Sequence, residues 1–208
     1  MALIKIEKLQ SDISLGLWEI ERKVEALRPL VSKFIWEKVM TECTSDSRRK
    51  EKLAVYALLY AMTGNRELII SHEPSGRPIV KGWNFSVSHT RGYAAVILSR
   101  ESNVAVDVEY MSNRVDRIAE RFVRADEYAP DTLSRLIVWC AKETLYKLFH
   151  EDSLGYFDMR VFVQPVLDVS IVSCEKVRQA VIENILRKVK VEFYYRVTSA
   201  YVLTWAFR

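Results

Sequence analysis

Val104-Ala105-Val106-Asp107-Val108-Glu109 alternates with a period of two, so a strand puts Ala105, Asp107 and Glu109 on one face and the three valines on the other. Downstream, Trp139-Cys140-Ala141-Lys142-Glu143-Thr144-Leu145-Tyr146-Lys147 has a helical period, with Trp139, Glu143 and Lys147 recurring on one face. A strand followed by an amphipathic helix is the unit from which the rest of the chain can be read. Upstream, strands are expected near Phe85 to Ser88 and Tyr93 to Leu98, after a turn at Pro74-Ser75-Gly76-Arg77-Pro78. Downstream, a helix spans Thr132 to Phe149, a strand lies near Arg160 to Val163, a helix over Glu175 to Lys188, and a hairpin over Val191 to Phe207.

The N-terminal part repeats the mixture. Ala2 to Ile6 and Ile13 to Glu19 read as strands. A helical pattern then carries Val24, Leu27, Val31, Phe34 and Ile35 on one side, interrupted at Pro29. Ser45-Asp46-Ser47 offers a helix cap, and Leu53, Tyr56, Ala57 and Tyr60 keep the helical period until Gly64 ends it. A further helix is expected over Val115 to Phe122. The fold class is therefore α+β, with strands clustered in each half. Gly92 to Leu98 and Ala200 to Trp205 share a strand character after a polar turn, a hint of internal duplication.

The 208 residues, half of them hydrophobic, suffice for a real core, and six Gly and five Pro leave little room for long linkers. Lys5, Glu7 and Lys8 break the apolar character of the N-terminus, so no signal peptide is read there, and the longest apolar run, near Leu53 to Met62, is too short to span a bilayer. A cytoplasmic protein without membrane association is expected. Cys43, Cys140 and Cys174 have no close partner and read as buried thiols. A formal charge of +4 favours anionic partners, but no zinc-finger spacing, aromatic RNA-binding motif or long basic run points to nucleic acid.

The chemistry concentrates in the two opening segments. Asp107 and Glu109, side by side on a strand, repel and raise each other's pKa unless a cation lies between them, and a hard ion such as Mg²⁺ answers that need with oxygen ligands. The same run by itself fits a solvated strand end equally well. Glu143 and Lys147, one helical turn apart, fit either a surface ion pair of roughly 0.2 to 0.5 kcal/mol or a third carboxylate and an ammonium suited to phosphoryl chemistry. Ser88 and His89 are neighbours on a strand and face opposite ways, which excludes a Ser-His nucleophilic pair but leaves each able to meet a phosphate. The basic start of the second helix, Arg48, Arg49, Lys50 and Lys52, is either a solvated face or a set of cations awaiting phosphates.

In this order and spacing the segments resemble the 4'-phosphopantetheinyl transferase superfamily, particularly its larger, surfactin-synthetase-activating type. That family shows a Gly-Lys/Arg-Pro turn, then Phe-Asn-Ile-Ser-His-Ser, Gly-Ile-Asp-Ile-Glu, Arg-Phe-Phe with a following Glu, and Trp-x-x-Lys-Glu-Ala-x-x-Lys. Here the turn is Gly76-Arg77-Pro78, followed by Phe85 to Thr90, Ala105 to Glu109, Arg121-Phe122-Val123 with Glu127, and Trp139 to Lys147. Ser86, Thr90 and Ala105 stand where the family has Asn, Ser and Gly, and Phe149 to Gly155 replaces its glycine-rich turn.

The resemblance implies two pseudo-twofold-related α+β halves, residues 1–105 and 106–208, the second carrying most of a metal site. It implies Asp107, Glu109 and Glu143 as ligands of Mg²⁺ or Mn²⁺, Glu143 also as the base, and Lys147 on the diphosphate of coenzyme A. Arg77, Ser88 and His89 resemble the coenzyme A contacts, with Arg48 and Arg49 near the adenosine 3'-phosphate and His89 assisting release of the nucleotide. The implied activity is transfer of phosphopantetheine from coenzyme A to a serine of an acidic apo carrier protein, such as that of fatty acid biosynthesis, by a monomer. The alternative is a non-catalytic module that binds coenzyme A or the carrier on the same fold.

Overall fold

The computed structural model describes residues 4–20, 23–163 and 176–208. Cys174 and the start of the helix expected from Glu175 lie outside the described residues. The chain divides into two units, Met1–Ser102 and Asn103–Arg208.

In the first unit β1 (Ile4–Lys8), β2 (Ser14–Glu19), β5 (Asn84–Thr90) and β6 (Tyr93–Ser99) form an antiparallel sheet in the order β1-β2-β6-β5. The small pair β3 (Ile70–His72) and β4 (Pro78–Val80) forms a separate two-stranded sheet, with β4 next to β5. Helices α1 (Lys33–Glu42) and α2 (Asp46–Thr63) lie between β2 and β3 in the chain. The expected cap holds: the Ser45 side chain accepts from Arg48 N, and Gly64, with φ +68°, ends α2 in the left-handed conformation that glycine adopts without penalty. Leu53 to Tyr60 are all buried, which makes α2 the centre of this unit's core. The expected helix after Ile20 is instead a 3-10 segment, Val24–Leu30, followed by α1; Pro29 has no N–H for a continuous helix. The break turns Phe34 outward, 59% exposed, while Ile35 stays inside.

In the second unit β7 (Val104–Tyr110), β8 (Met159–Phe162), β9 (Arg178–Asn184), β10 (Val189–Val197) and β11 (Tyr201–Phe207) make an antiparallel sheet in the order β7-β11-β10-β9-β8. One long helix, α3 (Thr132–Leu148), packs on it. Asp131 caps α3 reciprocally with Ser134, so both ends of the box are satisfied. Where a helix was expected up to Lys188, the residues form β9 and a turn at 185–188. Val177, Val181, Ile182, Ile185 and Leu186 mimic helical spacing, but Ile182 pairs with Val191 of β10 and is buried, whereas Leu186 is left 60% exposed. Pairing partners far along the chain decide such a segment, not its local period. The helix expected over Val115 to Phe122 is a 3-10 segment, Asn113–Arg121.

Candidate active site

The site of the second unit forms where β7 runs under α3. Asp107 is not at a solvated strand end: it is 5% exposed, opposite Thr204 in the β7–β11 register. A buried carboxylate needs a compensating charge, and Lys147 supplies it, its Nζ 2.7 Å from Asp107 Oδ1 and 3.0 Å from the Val106 carbonyl. Lys147 therefore reaches down to the strand and not along the helix to Glu143. The surface Glu-Lys pair that the spacing allowed does not form among the described contacts.

Glu143 accepts a hydrogen bond from the Tyr156 hydroxyl at 2.8 Å. Burial holds its carboxyl above the usual range, and the negative charge of Asp107 pushes the same way. Burial and the Glu143 carboxylate in turn push the Tyr156 phenol up. Glu109, further along β7, is gripped by Arg114 through both oxygens at 3.3 Å. Cys140 is a buried thiol beside Asp107, and burial raises it far above reactive range.

Behind these groups lies a second buried pair. Lys142 and Glu127, both side chains wholly inaccessible, approach to 2.8 Å. The Lys142 ammonium also donates to the carbonyls of Phe122 and Tyr156 at 2.6 and 3.0 Å, and Glu127 accepts from the backbone N–H groups of Arg124 and Val161. Every polar end is thus satisfied, which is what makes an ion pair tolerable in a core. The Phe122, Trp139 and Tyr156 rings cluster over it, Phe122 edge-on to Trp139 at 5.1 Å. Of this group, sequence reading singled out Trp139 and noted Phe122, Glu127 and Lys142 only as parts of motifs. Tyr156 was missed: it stands in an aperiodic segment, and no spacing signal ties it to α3.

In the first unit the alternation of β5 buries Ser88 and turns His89 outward, as the strand period requires. Arg48 Nη1 lies 2.9 Å from His89 Nε2; since a guanidinium only donates, Nε2 is the acceptor and the ring proton sits on Nδ1, 3.6 Å from Glu51. Glu51, which also binds Arg48 at 3.1 Å, was not read from sequence. Arg49 turns back instead, donating to the carbonyls of Cys43 and Met40 and to Asp46, so it fastens the end of α1. Arg77 pairs with Glu73 across the turn between β3 and β4 at 3.5 Å.

The three carboxylates expected to hold a cation are each engaged by a different donor: Asp107 by Lys147, Glu109 by Arg114, Glu143 by Tyr156. Among the described residues no three His, Cys, Asp or Glu side chains are gathered as a metal-holding group. The negative charge of Asp107 is nevertheless felt at Glu143, and carboxylate oxygens are the ligands that a hard divalent ion takes. No helix of the described residues is long and apolar enough to cross a membrane.

The model of the 4'-phosphopantetheinyl transferase superfamily matches residues 103–205, which coincides with the second unit and its site. No curated protein matches the chain.

Proposed function

Through residues 103–205 the chain belongs to the 4'-phosphopantetheinyl transferase superfamily, and we propose that it transfers phosphopantetheine from coenzyme A to a serine of an acidic apo carrier protein. The observation that supports this most is the convergence of Asp107, Glu143 and Lys147 from β7 and α3: a buried carboxylate, a desolvated carboxylate and an ammonium in one place. A surface ion pair would not bury Asp107, and a packing interface would not keep three charges there.

Asp107, Glu109 and Glu143 would hold the divalent ion, Mg²⁺ or Mn²⁺, which when bound supplies charge neutralisation to the diphosphate of coenzyme A. Glu109 would have to leave Arg114 to take part. Glu143 is raised toward the working pH by burial, the property a general base needs; it removes the hydroxyl proton of the carrier serine as that oxygen bonds to the β-phosphorus. The bond from that phosphorus to the oxygen of the adenosine bisphosphate breaks, and the nucleotide leaves with the electron pair. Lys147, already at Asp107, offers its charge to the phosphate oxygens as that negative charge shifts.

Arg48, Arg49, Arg77, Ser88 and His89 belong to the same proposal as contacts of the coenzyme. Arg48 and His89 are the stronger pair, since the structure brings them together, whereas Arg49 is committed to its own backbone. A monomeric state, a cytoplasmic location and an acidic carrier complete the reading; the net charge of +4 supports the last. The test is to incubate the protein with coenzyme A, Mg²⁺ and a panel of apo carrier proteins and weigh the carriers. Gain of one phosphopantetheine mass, lost in excess chelator and with Asp107→Ala, is expected. Transfer that persists in either case defeats the proposed metal site, and coenzyme A binding without transfer to any carrier favours a non-catalytic module.

A further inference from the structure

We propose that Tyr156 is a positioning residue of the transfer reaction: its hydroxyl fixes the Glu143 carboxylate through Oε1, directing the acceptor serine's proton to Oε2. The inference rests on the reading of Glu143 as the base. It assigns a role to the segment Phe149 to Gly155 and its continuation, where the glycine-rich turn of the resemblance is absent.

Residue 156 is tied to α3 at two successive positions. Its backbone carbonyl accepts from Lys142 Nζ at 3.0 Å, and its hydroxyl donates to Glu143 at 2.8 Å. Lys142 cannot drift, because Glu127 and the Phe122 carbonyl hold it in a site with no solvent exposure. The Tyr156 ring is held from the side by Trp139, centroids 5.2 Å apart, and by Phe122 at 6.3 Å. The hydroxyl is thus delivered by a rigid frame.

A glutamate has three side-chain torsions, and one on a partly exposed helix face samples several rotamers unless something stops it. A base acts only from hydrogen-bond reach of the proton it takes, so a carboxylate that wanders loses rate even when its chemistry is intact. The Tyr156 ring already packs, so phenylalanine would serve a packing role. The hydroxyl adds a single donor, and the acceptor it meets is Glu143, the α3 carboxylate read as the base.

The experiment compares Tyr156→Phe, which removes the hydroxyl alone, with Tyr156→Ala, which removes the ring as well. The readouts are kcat and KM for coenzyme A with a carrier the parent modifies, coenzyme A affinity by calorimetry, and melting temperature. Tyr156→Phe is expected to lose roughly 10- to 100-fold in kcat, the range of one hydrogen bond to a charged group, with KM and affinity within about twofold. Its melting temperature stays at the parent value. Tyr156→Ala loses activity and melts lower. A Tyr156→Phe protein with parental kcat overturns the proposal while leaving the transfer reading intact, and so does a loss that tracks a lower melting temperature. A parent that modifies no carrier removes the transfer reading and this proposal with it.

Discussion

The two units solve one topological problem with opposite chemistry. In the first, strand β2, helix α2 and hairpin β5–β6 follow one another, and β6 returns to pair with β2; in the second, β7, α3 and hairpin β10–β11 do the same, with β11 beside β7. Glu19 opposite Tyr93 corresponds to Tyr110 opposite Tyr201, and counting back along each strand puts Gly16 where the other unit has Asp107. A Cβ on Gly16 would lie 2.7 Å from both Leu58 Cδ1 and Met62 Sδ, two α2 residues spaced like Glu143 and Lys147 on α3. Opposite them, Val96 in β6 takes the place of Thr204 in β11. One unit closes the strand against the helix with apolar contact, while the other opens the same layer and lines it with charge. Folding alone is served by the first arrangement. Charges retained in the second at a desolvation cost are most economically explained by chemistry.

The most direct way to break this contrast is to neutralise the second unit's layer. Glu143→Gln keeps shape and an acceptor for Tyr156 but removes the base and a ligand charge, so turnover should fall by roughly three or more orders of magnitude with the fold unchanged. Lys147→Ala should weaken coenzyme A binding by about 10- to 100-fold as well as slowing transfer, because it removes a cation from the diphosphate. It should also melt lower, since Asp107 loses its charge partner. Single-turnover rates and calorimetry separate the two; parental rates in both variants would reduce the layer to a structural ion pair.

The comparison also shows what sequence could and could not reveal. Strand β7 and helix α3 were legible because the pattern of residue types is local, alternating in one and recurring every four residues in the other, even though burial does not follow it: Val104 to Val108 are all buried, as are Leu136 to Val138 and Cys140 to Lys142. The cap of α2 at Ser45 was legible for the same reason. Segment Arg178–Asn184 was not, because its apolar spacing suits a helix and only pairing, with β10 along its length and with β8 on its other edge, makes it a strand. Within the site, Asp107, Glu143 and Lys147 sit on those periodic elements. Tyr156 and Arg114 sit on aperiodic ones: Tyr156 is placed by contacts to Lys142 and Glu143 more than a dozen residues back, and Arg114, only five residues from Glu109, is joined to it by a turn that no periodicity marks. Likeness between Gly92–Leu98 and Ala200–Trp205 was visible, and both stretches do return beside the strand that precedes the helix.

A mutation in the first unit sharpens the contrast from the other side. Gly16→Ala puts a methyl within overlap distance of Leu58 and Met62, and should cost about 1 to 3 kcal/mol by overpacking. The Met62 thioether can swing aside more easily than the branched Leu58, so the penalty of Gly16→Ala should be smaller when measured in a Leu58→Ala background, although Leu58→Ala, at a fully buried position, itself destabilises. Chemical denaturation measures both, and a Gly16→Ala protein as stable as the parent would show that β2 and α2 are not in the close contact described. A smaller effect is expected from copying the first unit's residue into the second. Thr204→Val removes a hydroxyl that donates to the Cys140 carbonyl at 3.0 Å and lies 2.7 Å from Thr144 Oγ1. The loss should be about 1 kcal/mol, little for a buried pair, with transfer nearly unchanged because neither threonine is proposed to touch substrate.

The smallest expected effect concerns a feature the units share. Each fastens a segment outside its sheet with one aspartate: Asp12 takes the Ser99 hydroxyl at the end of β6, and Asp116 takes the Thr132 hydroxyl at 2.7 Å and Arg135 at 2.9 Å at the start of α3. The Thr132 hydroxyl and then the Arg135 guanidinium hold the Asp116 carboxyl below its ordinary range, and the Ser99 hydroxyl does so for Asp12. A carboxyl depressed in the folded state contributes stability that is fully present above its unfolded pKa of about 3.9 and is lost as pH falls through the folded value. Asp116→Asn should therefore melt lower than the parent at neutral pH, and the gap should close in acid, where the parent's carboxylate is itself protonated. Asp116 and Arg135 are both partly exposed, so the gap is small and shrinks further in salt. Melting curves of the two proteins from neutral to acid pH decide it: a gap that does not narrow means that the carboxylate's charge contributes nothing, and that hydrogen-bond geometry alone fastens the start of α3 inside the second unit.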